Sequence, residues 1–101
     1  MDDAKLVPFD ASEFLDSDEA IRDFLEDILE SNDAKVIAAG LGDVARARGM
    51  TQIAKDAGMS RESLYRALSA DGNPQLETVL KVMRALGFSL SVSRQHPDAA
   101  E

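Results

Sequence analysis

The sequence predicts an all-α domain, a five-helix bundle containing a helix-turn-helix and followed by a short C-terminal β-strand. Three observations carry this. Apolar residues recur at helical spacing through residues 21–29, 37–44 and 76–86 of the 101-residue chain. Residues 51–68, TQIAKDAGMSRESLYRAL, read as two short helices meeting at a glycine. Residues 88–93, FSLSVS, then switch to strict alternation, the period of a strand with one buried face.

Residues 1–9 are expected to be extended, because Pro8 biases Val7 away from the α region. Asp10 and Glu13 have capping-box spacing and predict a brief helical turn through Phe14 and Leu15. Ser17 or Asp18 caps the first long helix, which runs to about Glu30. Ile21, Phe24, Leu25, Ile28 and Leu29 form its apolar stripe, and Asp23, Glu26, Asp27 and Glu30 its opposite face. Those carboxylates read as a solvated face, since nothing nearby would make an acid–base pair of them.

Ser31-Asn32-Asp33 breaks the chain and caps a second helix, about Ala34 to Arg48, that buries Ile37, Leu41 and Val44. Gly40 and Gly42 weaken it intrinsically, so close packing or a bend is expected there. Arg46 and Arg48 suit its C-terminus, where capping and solvation are the simpler account than phosphate contact, and Gly49 ends it.

In the central stretch, Ile53, Ala54 and Ala57 line one side of a short helix, and Gly58 supplies the positive φ of the turn. Ala54 is small where the two helices cross. Ser60 caps the second helix, which Leu64 and Leu68 anchor to the core. Arg61, Glu62, Ser63, Tyr65 and Arg66 project outward, as in a recognition helix that enters the DNA major groove. A corner used only for packing has no need of such a face.

Residues 69–74 are a turn cluster, with Asn73 as N-cap and Pro74 at the first position of the last helix. That helix is expected to bury Leu76, Val79, Leu80, Met83 and Leu86 and to end at Gly87. The strand at 88–93 needs a partner for its backbone. The other extended candidate is 4–8, in the same chain or in a second copy. The organisation expected is an acidic extension (1–33) packed on the core, a helix-turn-helix domain (34–87), and a strand with a polar tail (88–101).

The length suits one domain. With no cysteine there is no disulfide framework and no thiolate metal site, and the one histidine, His96, stands beside Pro97 in the tail. With no Gly-rich phosphate loop either, the chain reads as a non-enzyme needing no cofactor or metal. No 18-residue apolar run and no basic-then-apolar leader is present, which predicts a cytosolic protein without membrane association.

The net charge is −8, but it is unevenly spread. Residues 1–33 hold twelve acidic and two basic side chains, whereas 34–96 hold nine basic and five acidic. A basic module thus carries an acidic extension, which suits two different partners or a merely solubilising helix.

For the basic module the supported chemistry is binding of double-stranded operator DNA. Arg61 and Arg66 can donate to guanine or phosphate, Glu62 can accept from cytosine, and Tyr65 offers a hydroxyl and a ring face. Thr51 and Gln52 are placed to hold phosphate, and Ser60 and Ser63 complete the candidate set. One such helix reads only a few base pairs, so a homodimer over two half-sites is expected, joined through the 88–93 strand or the last helix.

The segments AGLGDVARARG, MTQIAKDAGMSRESLYRALS and GNPQLETVLKVMRALGFSLSV, with the opening LVPFDASEFLDSDEAIRDFLEDILE, resemble the addiction-module antidote proteins. More narrowly they resemble HigA-like antitoxins with a Cro/cI-type helix-turn-helix, over nearly the whole chain. The resemblance implies a lambda repressor-like fold and a bacterial type II antitoxin. It would neutralise a basic RelE/HigB-like mRNA-cleaving toxin and repress its own operon as a dimer. It carries DNA contact onto Gln52, Arg61, Glu62, Ser63, Tyr65 and Arg66 but assigns no toxin contacts. For those, charge alone nominates Asp23, Glu26, Asp27 and Glu30. The rival readings are a stand-alone phage-type repressor without a toxin, and an interaction module that no longer binds DNA.

Overall fold

A computed structural model of the chain describes residues 14–94. Within them lie five α-helices: α1 (Asp18–Glu30), α2 (Ala34–Arg48), α3 (Met50–Asp56), α4 (Arg61–Ala67) and α5 (Leu76–Leu86). The first two start where local capping chemistry dictates. Ser17 Oγ accepts the Ala20 N–H at 3.1 Å, and Asp33 Oδ1 accepts the N–H groups of Lys35 and Val36 at 2.9 and 3.4 Å.

α2 is the centre of the fold, with α1 packed on it as well as α3 and α5. Ile21, Leu25 and Ile28 of α1 share one hydrophobic cluster with Leu41, Val44 and Ala45 of α2, and Ile37 is half-buried beside it. The α2 glycines mark close approach. A Cβ on Gly40 would stand 2.7 Å from Ile28 Cδ1, and one on Gly42 would stand 2.6 Å from the Leu68 carbonyl oxygen.

α3 and α4 meet at a turn through Gly58, at φ 72°. The Met59 N–H reaches back to the Ala54 carbonyl at 2.9 Å and closes the end of α3. Ala54 is buried at the crossing, as its size requires. Ser60 Oγ accepts the Ser63 N–H at 3.0 Å to open α4, whose Leu64 is wholly buried and is followed by buried Leu68.

α5 departs from expectation in two ways. It begins at Leu76, and the residue before it, Gln75, is extended and makes no side-chain cap. Proline's fixed φ suits extended backbone as well as a first helical turn, so Pro74 alone does not set the start. Leu76 and Leu80, expected in the core, are 68% and 42% exposed. The buried face is Val82, Met83 and Leu86, with Val79 half-buried. Those four positions recur at i, i+3, i+4 and i+7, which rotates Leu76 and Leu80 onto the flank.

The C-terminal strand is absent among the described residues: 88–94 are irregular. The Phe88 N–H donates to the Met83 carbonyl at 2.9 Å and finishes α5, after which Val92 is 98% exposed. A strand exists only with a ladder partner, and none of the described residues supplies one. The candidate partner at 4–8, the Asp10–Glu13 capping box and His96 lie outside the described residues.

The two α2 glycines respond differently to a methyl group. Alanine gains about 1 kcal/mol of helix propensity at either site, whereas overpacking costs about 1–3 kcal/mol. Gly42 faces a backbone carbonyl, which cannot rotate away, while Gly40 faces Cδ1, Cγ2 and Cβ of the β-branched Ile28, which side-chain rotation relieves only in part. Both Gly42→Ala and Gly40→Ala are therefore expected to destabilise the domain in urea unfolding, Gly42→Ala the more. Leu64→Ala, at a wholly buried site, should cost about 2–5 kcal/mol in the same measurement.

Candidate functional site

α4 places Arg61, Glu62, Tyr65 and Arg66 on its outer side by helical spacing alone. All four are exposed, and the Tyr65 ring, at 56%, stands clear of the core. Together with Arg46 and Met50 they line an open cleft of about 530 Å³. Arg46 comes from the last turn of α2, and Met50 is the first residue of α3. Because Gly49 alone separates those helices, the end of α2 lies beside the α3–α4 pair.

Arg46 is braced by an ion pair with Asp43, one turn earlier on α2. Neither Arg61 nor Arg66 forms an ion pair with any described residue. Three guanidinium groups thus share the cleft with one carboxylate, Glu62. Guanidinium forks match phosphate and guanine edges two bonds at a time, and the tyrosine adds a flat apolar face.

The other candidate residues fall elsewhere. Thr51 and Gln52 are exposed on α3 but do not line the cleft, and the Gln52 side-chain amide donates to Asp56 Oδ1 at 2.9 Å. Ser60 Oγ is engaged as the cap of α4, and Ser63 is half-buried. Asp23, Glu26, Asp27 and Glu30 are exposed on α1, apart from the cleft, with Asp23 paired to Arg22 at 3.3 Å. Sequence reasoning preferred helix capping to phosphate contact for Arg46 and so left it out of the candidate set, although it lines the cleft. The available signal was its position one turn before the single-residue α2–α3 link.

Fold and cleft define, over the described residues, a small all-helical domain with a basic cleft and a separate acidic helix face. Compared with known proteins, residues 5–94 match the family described as probable addiction module antidote protein. The chain belongs to that family, which places it among the antitoxins of toxin–antitoxin systems and implies a cognate toxin as partner. It is similar to an uncharacterized protein of Haemophilus influenzae, 50% identical over 90 residues, covering 89% of this chain and 93% of the relative. No solved structure matches the chain. Among the described residues, no helix is long and apolar enough to cross a membrane.

Cap and cleft residues should separate by their effect on stability. Ser60→Ala removes the cap bond of α4 and is expected to cost about 0.5–2 kcal/mol. Tyr65→Ala, at an exposed site, should leave unfolding within about 0.5 kcal/mol of the parent. Chemical denaturation of the two variants side by side checks both.

Proposed function

We propose that this antitoxin is HigA-like and of type II, that it neutralises a basic RelE/HigB-like toxin, and that it represses its own operon as a homodimer. In this reading α3 and α4 are a Cro/cI-type helix-turn-helix, and α4 lies in the major groove of operator DNA. The observation that carries it is the cleft on the outer side of α4, which Arg46, Arg61 and Arg66 line together with Tyr65. Arg61 and Arg66 read guanine edges, Glu62 reads cytosine, and Tyr65 packs its ring against base or sugar. Arg46, Thr51 and Gln52 hold phosphate and set the register. Ser60 shapes the start of α4, and Ser63 lies beside it. The protein acts in the cytoplasm by binding alone, without catalysis, cofactor or metal.

The net charge of −8 does not defeat this reading. At physiological salt the screening length is about 8 Å, so a phosphate in the cleft responds to its guanidinium neighbours far more than to carboxylates on α1. Those carboxylates, Asp23, Glu26, Asp27 and Glu30, form the docking face for the toxin. Ile21, Leu25 and Ile28 beneath them are committed to the core. Complementary charge there speeds association and excludes wrong partners.

Membership in the antidote family favours this reading over a repressor without a toxin. The test is a search for an adjacent reading frame encoding a basic protein, titration of that protein, and a mobility shift with the DNA upstream of the antitoxin's own reading frame. Arg61→Ala and Arg66→Ala should each weaken operator binding by about 1–3 kcal/mol, roughly 5- to 150-fold, and Arg46→Ala should lower the salt dependence. Two arginine variants that bind like the parent would remove α4 from the major groove.

Replacing Asp23, Glu26, Asp27 and Glu30 with Asn or Gln should weaken toxin binding and make it less salt-sensitive, with operator affinity held within a few-fold. Toxin affinity that stays the same at two salt concentrations would make this face a solubilising one only.

A further inference from the structure

α4 has seven residues and carries a cleft arginine at each end, Arg61 at its first position and Arg66 at its last but one. A helix so short has more end groups than internal bonds, and its last turn frays unless something outside the helix holds it. The start is held by Ser60, whose Oγ accepts the Ser63 N–H at 3.0 Å. The end is held by the turn that follows. The Ser69 hydroxyl donates to the Arg66 carbonyl at 3.0 Å, and the Ser69 N–H donates to the same oxygen at 3.5 Å. The Gly72 N–H donates to the Ser69 carbonyl at 2.9 Å and closes the turn over 69–72.

Gly72 is pressed against the same end of the helix. A Cβ there would stand 2.2 Å from the Ala67 carbonyl oxygen and 2.7 Å from that of Arg66. Both are backbone atoms, so a side chain at position 72 has to push the turn off the helix or distort its last turn. The next carbonyl, of Leu68, is the one that Gly42 of α2 approaches. Three successive carbonyls at the end of α4 thus lie against a glycine that leaves no room for a methyl group.

We propose that Ser69 and Gly72 are positioning residues for Arg66: they set the winding of the last turn of α4, so that the Arg66 guanidinium meets its base edge in register with Arg61. The inference rests on the operator reading of α4 and gives a role in it to two residues outside the cleft lining. Buried Leu64 and Leu68 seat one face of α4 on the core. How tightly the last turn is wound depends on which groups its carbonyls bond, and the bond from the Ser69 N–H to Arg66 spans three residues, the tighter spacing. Between α and 3₁₀ winding a side chain turns by about 20° per residue. That exhausts the roughly 10–20° within which a binding group has to be held. A guanidinium fork meeting guanine through two parallel bonds depends on such alignment more than a single phosphate contact does.

The test is binding of the full chain to the DNA upstream of its own reading frame, read as double-mutant cycles at a salt concentration low enough for every variant to bind. Ser69→Ala should weaken binding about 3- to 10-fold, the range of one local hydrogen bond. With Arg66→Ala already present the same change should cost less than about twofold, whereas with Arg61→Ala present it should keep its full effect. Gly72→Ala should show the same pattern. Ser69→Thr, which keeps the hydroxyl, should bind within about twofold of the parent. On operators with single G·C pairs replaced in turn, Ser69→Ala should flatten discrimination at the pair that Arg66→Ala flattens and preserve it at the pair that Arg61→Ala flattens. Circular dichroism confirms that each variant compared is folded. A turn that only stabilises the domain lowers binding equally in the two arginine backgrounds, and that result would overturn the proposal. So would Ser69→Ala and Gly72→Ala that bind like the parent, or Ser69→Thr that binds as weakly as Ser69→Ala. A parent that gives no shift refutes the operator reading itself, whereas a parent that shifts, with uncoupled variants, refutes only the role of the turn.

Discussion

The constraint on which the rest depends is the absence of a side chain at Gly42. There α2 lies so close to the end of α4 that the space of a methyl group is already taken by the Leu68 carbonyl. Leu68 is the residue that ends α4, and its own side chain is buried in the core. The contact therefore fixes where α4 stops and how near it lies to α2. Through α2 the same constraint reaches the cleft, because Arg46 is one turn beyond Gly42 on that helix. Gly40, half a turn away, takes the side chain of Ile28 and seats α1. A helix that pays about 1 kcal/mol per glycine in propensity thus brings an acidic helix and a basic cleft onto one core.

What was legible in the sequence was what local chemistry decides. Ser17 and Asp33 cap α1 and α2 through bonds to residues two or three positions away, so these helix starts follow from the text. The same holds for Ser60, Gly58, Leu64 and the outward residues of α4. What failed depends on distant partners. Leu76 and Leu80 have the spacing of a core stripe, but α5 turns its Val82–Met83–Leu86 side to α2 and α3. Residues 88–93 alternate like a strand, yet alternation describes a ladder only when a second strand is present. Arg46 was given to helix capping for the same reason, since its α4 neighbours in the cleft are fifteen to twenty residues away in sequence.

The domain carries two charged surfaces. Asp23, Glu26, Asp27 and Glu30 face solvent on α1, and the guanidinium groups of the cleft come from α2 and α4. Were the opposite charges free to meet, the acidic helix would compete with an anionic ligand for the arginines. Burial of Ile21, Leu25 and Ile28 pins α1 on its own side of α2, and each fully buried aliphatic side chain contributes about 1.5–3 kcal/mol to holding it there. An exposed ion pair contributes under about 1 kcal/mol. The hydrophobic term wins, and the ion pair of Asp18 on the acidic helix with Arg48 forms at the end of α2, outside the cleft. Packing keeps the two charged faces apart, so that in the proposed reading toxin and operator can be held at the same time.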